Sequence, residues 1–287
     1  MEKKELYDEV TLDNFELVAK SQTDRLKNFE LLFVHPDSKK KNELWTEEID
    51  RLADMPEIDK LECRNLTQVG LEYLADKFGS RIKFLKLNCC QTIGDFLPIE
   101  KFINLEFLYV YWNSKADKTW NTSKTKNIKG IEMLDFSRLH DLSGVEKLKK
   151  LKMFAFGNFM SESTVANSYN WFKNTNVEVL SYSGNKLLDD NLGFLYSMSE
   201  LKTFDFNANC FTTEQVAWIK ANFPDLKGYS ICSKIEPKDD DFVIIVGKRK
   251  PSLNIKGNED KIKRYDEKFK MLVEKYRGMS FEEAFKK

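Results

Sequence analysis

The chain has 287 residues, enough for two ordinary domains or for one elongated repeat array. Its 46 basic residues balance 46 acidic ones, so the overall charge excludes a general attraction to nucleic acid or to an anionic membrane. No stretch of about 18 apolar residues is present, which excludes a conventional membrane-spanning helix.

The first 28 residues predict an N-terminal cap. This segment mixes both charges and lacks the apolar core of a signal peptide, so we expect a cytoplasmic protein. Phe15, Leu17 and Val18 stand close together among its polar residues. Because the end of a repeat array exposes its core, residues 1–28 are predicted to form a helical cap over the first strand.

One short pattern recurs along most of the chain. LxxLxL, with aromatic and β-branched residues allowed at the Leu positions, occurs as FELLFV (29–34), IDKLEC (58–63), IKFLKL (82–87), LEFLYV (105–110), IEMLDF (131–136), LKMFAF (151–156), VEVLSY (177–182), LKTFDF (201–206) and LKGYSI (226–231). Successive units begin 20 to 29 residues apart, the length that one short strand and a returning segment need. The pattern predicts an α/β fold with a parallel sheet of about nine strands.

The segments between the units predict how the chain returns to the next strand. Five have apolar residues at helix-like intervals and could cover the other side of the sheet. They are 66–79, 93–103, 142–148, 191–198 and 212–223. Two others, 114–130 and 161–174, are mostly polar and fit loops or short turns better than regular helices.

Asparagine occurs at a fixed place in three units, three residues after the last apolar position. Asn113, Asn185 and Asn209 stand there, and Cys90 takes the place in another unit. A side-chain amide at this place can satisfy backbone groups in the turn that leaves the strand. With these features, residues 29–234 resemble the leucine-rich repeat family. The other units depart from the motif, with Asp37, Leu66, Leu139, Phe159 and Lys234.

The resemblance is to a bacterial-type cytoplasmic leucine-rich repeat protein. It implies a right-handed solenoid of horseshoe shape, in which the exposed side of the sheet is concave. It also implies a non-catalytic module that binds a protein or peptide on that face, of scaffold or inhibitor type.

Alternation along each strand predicts which side chains lie on the concave face. Counted from the first apolar residue of a unit, positions one, four and six turn inward, and positions three, five and seven face outward. The candidate partner-binding residues are Phe84, Lys86, Phe107, Tyr109, Tyr111, Trp112, Met133, Asp135, Met153, Ser181 and Asp205. The aromatic and aliphatic members of this set would form one apolar patch on neighbouring strands. An exposed apolar patch larger than a few hundred Å² usually marks a contact surface.

Two other interpretations of the patch stay open. A terminal segment, or the 114–130 loop anchored by Trp120, could fold into the groove and cover it. The face could instead mediate self-association, which would bury the same residues.

Residues 235–287 predict a second cap. Residues 241–255 indicate a strand, a turn at 247–251 and a stretch that could return as a second strand. A helix is predicted from Asn258 to just before Gly278 and should pack against the last repeat. Its apolar stripe consists of Ile262, Tyr265, Phe269, Leu272 and Tyr276.

Basic residues crowd the approach to this helix, with Lys248, Arg249 and Lys250 in a row. They favour an alternative function in which the segment binds nucleic acid. Acidic residues alternate with basic ones along the helix and would neutralise much of the field, so a solvated helix face is the simpler interpretation.

Residues suited to catalysis or metal binding are few. His35 and His140 are the only histidines, and neither has a partner at ligand spacing. The five cysteines follow no zinc or redox spacing, which favours free thiols in a reducing compartment. We therefore predict no enzyme activity, no cofactor and no metal. The weakest alternative is an enzyme that uses Cys232 on the sheet face, or His35.

Overall fold

The computed structural model describes residues 7–20, 25–33, 43–160, 164–184, 186–238 and 241–285. Its main element is a sheet of eight parallel strands, which confirms the α/β solenoid. In order across the sheet they are β1 (Phe29–Phe33), β2 (Lys60–Arg64), β3 (Phe84–Asn88), β4 (Phe107–Asn113), β5 (Gly130–Phe136), β6 (Met153–Gly157), β8 (Val179–Tyr182) and β10 (Thr203–Phe206). The ninth predicted unit adds no strand to this sheet, and its Lys227 makes one isolated bridge with Thr203.

Helices and short 3₁₀ turns cover one side of the sheet and enclose the main core. Before β2 lies α2 (Glu43–Asp50), followed by the 3₁₀ turn Arg51–Asp54. Two of the five predicted covering segments contain regular helices, α3 (Gln68–Phe78) and α4 (Thr213–Asn222). The other three contain 3₁₀ helices at Leu97–Lys101, Val145–Lys147 and Leu192–Ser197. Their shortness allows successive units to stack closely.

The two polar connections behave differently from one another. Segment 114–130 contains the short 3₁₀ helix Thr122–Lys124 and otherwise no regular element before β5 begins at Gly130, as predicted. Segment 161–174 contains β7 (Val165–Ser168), which pairs with β9 (Lys186–Asp189) in a small parallel sheet, followed by the 3₁₀ helix Asn170–Phe172. The prediction of a strand-free connection there is wrong, because β7 buries only Ala166 and so carries little apolar signal.

The register of the fifth unit also differs from the prediction. Ile131 of β5 pairs with Leu108 of β4, so the unit begins at Ile128 instead of Ile131. Unit starts at 105, 128 and 151 are equally spaced, and equal spacing lets neighbouring strands align residue by residue. Met133 therefore turns into the main core, and its prediction as a concave-face residue is wrong. Glu132 and Leu134 take the concave positions.

The N-terminal segment lies on the concave face. Tyr7 forms a parallel bridge with Leu26, and between them α1 (Phe15–Lys20) packs against the middle strands. The Phe15 ring centroid lies 5.1 Å from that of Phe107 on β4. This placement differs from the predicted cap over the first strand, because the aromatic face of the middle strands provides the apolar surface that Phe15 and Val18 need.

The C-terminal part contains the predicted strands and helix. β11 (Lys234–Ile235), β12 (Phe242–Ile245) and β13 (Ser252–Asn254) form an antiparallel sheet, and α5 (Glu259–Tyr276) packs on α4. Phe269 and Tyr276 of the predicted stripe join the main core. A further helix, α6 (Phe281–Ala284), has no counterpart in the sequence prediction. Among the described residues, no helix combines the length and the apolar character that crossing a membrane requires.

Candidate functional site

The concave face consists of two parts, which we call the covered half and the open half. The covered half lies under the N-terminal segment and comprises Glu62, Phe84, Lys86, Phe107, Tyr109, Glu132, Leu134 and Met153, all of which are buried. The expected exposure of Phe84, Lys86, Phe107, Tyr109 and Met153 is therefore contradicted. These side chains are buried because the apolar side of α1 packs on them, whereas residues 1–28 were predicted to cover the first strand.

Charged side chains lie beside the aromatic ones in the covered half. Arg64 Nε donates to the carboxylate of Glu62 at 2.6 Å, and Lys86 Nζ lies 3.2 Å from the same carboxylate. The Lys86 ammonium also lies 5.5 Å from the centroid of the Tyr109 ring. Burial lowers the pKa of Lys86 despite the neighbouring carboxylate. The charges are thus paired, but at a cost in lost hydration.

Glu132 is the least satisfied of these charges. One of its carboxylate oxygens lies 3.5 Å from Lys20 Nζ of α1, and the other has no hydrogen-bond partner among the described residues. Burial raises the pKa of Glu132 to about 7, because lost hydration outweighs the attraction of Lys20.

A row of left-handed residues runs along the ends of four neighbouring strands, two positions after the last inward residue. Asn65, Cys89, Trp112 and Asp135 have φ between +56° and +60°. Asn and Asp tolerate this conformation well, whereas a bulky side chain rarely adopts it. Trp112 nevertheless does so, and 45% of its surface is exposed.

Trp112 belongs to a cluster that we call the apolar rim, formed by half-buried Tyr111 and by exposed Trp112, Phe159 and Met160. The Tyr111 ring centroid lies 6.4 Å from that of Trp112 and 5.6 Å from that of Phe159. Phe159 and Met160 are 59% and 78% exposed. Their backbone N–H groups donate to the Asp135 carboxylate at 2.8 and 2.9 Å, so Asp135 fixes the loop that carries them.

Small polar residues form the floor of the open half, beyond the apolar rim. This polar floor comprises Ser181, Ser183, Thr203, Asp205 and Asn207, all half-buried. Asp205 accepts the backbone N–H of Tyr229 at 2.7 Å, and Tyr229 is 65% exposed at the far side. The open half is therefore a polar strip between exposed apolar side chains.

The structure brings together five of the eleven predicted site residues in or beside the open half. They are Tyr111, Trp112, Asp135, Ser181 and Asp205. Sequence reasoning missed Phe159, Met160 and Tyr229. Phe159 could have been noticed in the sequence, because it stands three residues after the last apolar position of its unit, where the unit 105–110 has Asn113. Tyr229 was predicted inward, but its unit joins the sheet only through the bridge of Lys227.

The 114–130 loop does not cover this surface. Trp120 is buried in the main core, and its indole Nε1 donates to the Thr125 hydroxyl at 2.9 Å. The loop therefore belongs to the covering layer, and the N-terminal segment is the part of the chain that occupies the groove.

Asn113 carries out the turn-stabilising role that its place predicted. Its buried amide nitrogen donates to the carbonyl oxygens of Cys90 and Ile93 at 3.1 and 2.8 Å, and its oxygen accepts from the backbone N–H groups of Lys115 and Ala116. Repeated strands in one parallel sheet, linked by such a turn, define the fold. The chain folds as a leucine-rich-repeat-type solenoid. Asn209 is exposed instead, and Asn185 lies outside the described residues.

Comparison with known proteins places this repeat beside solved internalin structures. No protein-family model and no curated protein matches the chain. The chain is similar to internalin C2 from Listeria monocytogenes, with 18% identity, 64% of this chain and 72% of that chain covered, and a TM-score of 0.40. It is also similar to an internalin (inlF) from the same organism, with 14% identity, 59% and 61% coverage, and a TM-score of 0.31.

The described residues provide little for the enzyme alternative. No group of three His, Cys, Asp or Glu side chains within them could hold a metal ion. Cys232 is half-buried, and burial raises the pKa of its thiol, which disfavours the nucleophilic thiolate. His140 Nδ1 lies 2.8 Å from the Val165 carbonyl oxygen, a contact that secures β7. His35 lies outside the described residues.

Some basic side chains of the C-terminal segment have partners within the chain. Lys248 pairs with Asp190 at 2.9 Å, and Arg277 pairs with Glu274 at 2.7 Å. Lys250 lies over the Tyr265 ring, 5.6 Å from its centroid. This arrangement favours the solvated helix face over nucleic-acid binding.

Proposed function

We propose that this solenoid protein is a non-catalytic binding module that holds a protein or peptide on the open half of its concave face. The apolar rim would supply the anchoring contacts, and the polar floor would supply hydrogen bonds to the partner. Exposed aromatic side chains at the edge of a polar strip match the usual anatomy of a protein interface.

The observation that carries the proposal is the conformation of Trp112. A bulky residue with φ of +60° costs conformational energy, and burial offsets only part of that cost because 45% of the Trp112 surface stays exposed. The same place is occupied by Asn65 in another unit, so the turn itself does not need an aromatic side chain. A binding role explains why Trp112 and the neighbouring Phe159 are kept at the surface.

Quantitative affinity capture from the native cell lysate tests the proposal. The bait would be the full chain, compared with a Trp112→Asn and Phe159→Ser double variant. A Leu188→Ser variant is the matched control, since Leu188 is 53% exposed on β9, outside the concave face. We expect a protein that the wild type and the control recover equally and that the double variant loses by more than tenfold, since interface hot spots contribute about 2 kcal/mol or more each. Equal recovery by all three baits would contradict the proposal.

A further inference from the structure

The N-terminal segment is attached to the covered half by side chains alone. Among the described residues, no backbone hydrogen bond joins residues 7–20 to a strand of the sheet. The bonds that involve the segment run within α1 and its first turn, or link Tyr7 to Arg25 and Lys27. If the segment lifted from the sheet, every backbone N–H and C=O group of the strands would therefore keep the hydrogen bonds that it has now.

The surface under the segment resembles an interface more than a permanent core. Lys60, Glu62, Lys86 and Glu132 are all nearly inaccessible there. One oxygen of Glu132 has no hydrogen-bond partner in the described part of the chain. Opening the segment would expose the Glu132 carboxylate, which faces Lys20 of α1, to water, and this offsets part of the lost apolar contact.

The segment shows what chemistry this surface accepts. Phe15 fills a slot between Phe84 and Phe107, at ring-centroid distances of 6.4 and 5.1 Å. The slot exists because Gly130 has no side chain, since a Cβ there would lie 3.1 Å from the Phe15 ring and 2.7 Å from the Phe107 ring. Val18 is also fully buried, and the Lys20 ammonium faces the Glu132 carboxylate.

We propose that the covered half is a second recognition surface, which residues 7–20 occupy in place of a peptide segment from a protein partner. That segment would carry the three features of α1: an aromatic residue, an aliphatic residue three positions later and a basic residue five positions later. The aromatic ring enters the slot over Gly130, and the cation pairs with Glu132. The proposal does not depend on Trp112, Phe159 or Met160 of the apolar rim, which are exposed.

A labelled peptide with the sequence of residues 9–20 tests this inference on the full chain. In a Phe15→Asp variant, a carboxylate cannot enter the aromatic slot, so the attached segment should vacate the surface and the peptide should bind saturably. The wild type should bind it at least tenfold more weakly, because its own segment competes at high effective concentration. Leu17→Asp is the matched control, since Leu17 is 38% exposed, and this variant should behave as the wild type.

Changes in the peptide test the proposed chemistry. A peptide carrying Phe15→Asp should not bind, and one carrying Lys20→Glu should bind several-fold more weakly. A folded Phe15→Asp chain that fails to bind the unaltered peptide would overturn the inference, as would equal binding to the wild type. A wild-type dimer with exchanged segments would overturn it too.

Hydrogen exchange in the wild-type chain gives a test that does not depend on the variant folding. We expect the amides of Phe15 and Val18 to exchange at least a hundredfold faster than those of the central strand β4, after correction for intrinsic rates. If the amides of α1 exchange only as fast as those of β4, the segment opens only with the whole fold, and the inference fails.

Discussion

We call the state in which α1 packs on the sheet the closed state. Replacing Glu132 with Gln should remove a loss of stability that the closed state suffers as the pH rises. In the closed state, burial raises the pKa of Glu132 to about 7 from an ordinary value of 4.5. When α1 is lifted, the carboxyl is exposed to water and returns toward its ordinary pKa. Below pH 4.5 it is protonated in both states. Between pH 4.5 and about 7 only the closed state holds the proton, so the closed state loses stability as pH rises through this window.

The expected size of the effect follows from the pKa difference. Each pH unit between the two values corresponds to about 1.4 kcal/mol, so the loss reaches ~3 kcal/mol at pH 8, or on the order of a hundredfold in the opening equilibrium. Lys20 and Glu16 on α1, Lys86 on β3 and Tyr109 on β4 also lie near the carboxylate and modulate this figure. Gln keeps the shape of the side chain but carries no charge, so it should abolish the loss.

Hydrogen exchange of the Phe15 and Val18 amides measures the opening directly. These amides donate to Thr11 and Asn14 carbonyl oxygens at 2.9 and 3.0 Å, so they exchange only when the turn opens. Comparing the Glu132→Gln variant with the wild type at the same pH cancels the intrinsic exchange rate. We expect similar protection at pH 5 and on the order of a hundredfold more protection in the variant at pH 8. Equal protection at pH 8 would rule out this pH dependence, since it would mean that Glu132 is hydrated while α1 is packed on the sheet.

The remaining predictions concern the turns and the core. Trp112→Asn should leave the free energy of unfolding unchanged or raise it by about 1 kcal/mol, since Asn tolerates a positive φ; a clear loss in urea denaturation would show that the indole stabilises the fold. Asn113→Ala should destabilise by ~2–4 kcal/mol because it leaves buried turn groups unpaired, whereas Asn209→Ala, at an exposed place, should cost less than ~0.5 kcal/mol; equal costs would contradict the assigned turn role. Met133→Ala should lower the free energy of unfolding by ~2–5 kcal/mol because it truncates a core side chain. A change near zero would show that Met133 is not in the core.

The sequence predicted those features that depend on regular spacing. Apolar residues at fixed positions of each unit place Leu108 and Val110 inside, and the structure has them in the main core. The stripe of α5 was predicted for the same reason, because a helical period leaves a clear signal over 18 residues.

The sequence did not predict the features that depend on contacts between distant segments. Nothing near Phe15 indicates that it packs on Phe107, since about 90 residues separate them. The fifth unit has apolar residues in both registers, and only pairing with β4 selects the one that buries Met133. The exposure of Phe159 depends on hydrogen bonds to Asp135 in the preceding unit, which residue spacing does not reveal. The cytoplasmic location stays a prediction.

Site-specific photo-crosslinking can show whether a partner binds on the open half of the concave face. A photoreactive phenylalanine analogue would replace Phe159 on the apolar rim and, separately, Leu188 on β9. Phe159 is suited to this because it is 59% exposed and its backbone is fixed by Asp135. We expect the analogue at position 159 to crosslink one partner protein in the native lysate and the analogue at position 188 not to do so. Crosslinking to the same protein from position 188, with none from position 159, would contradict this expectation.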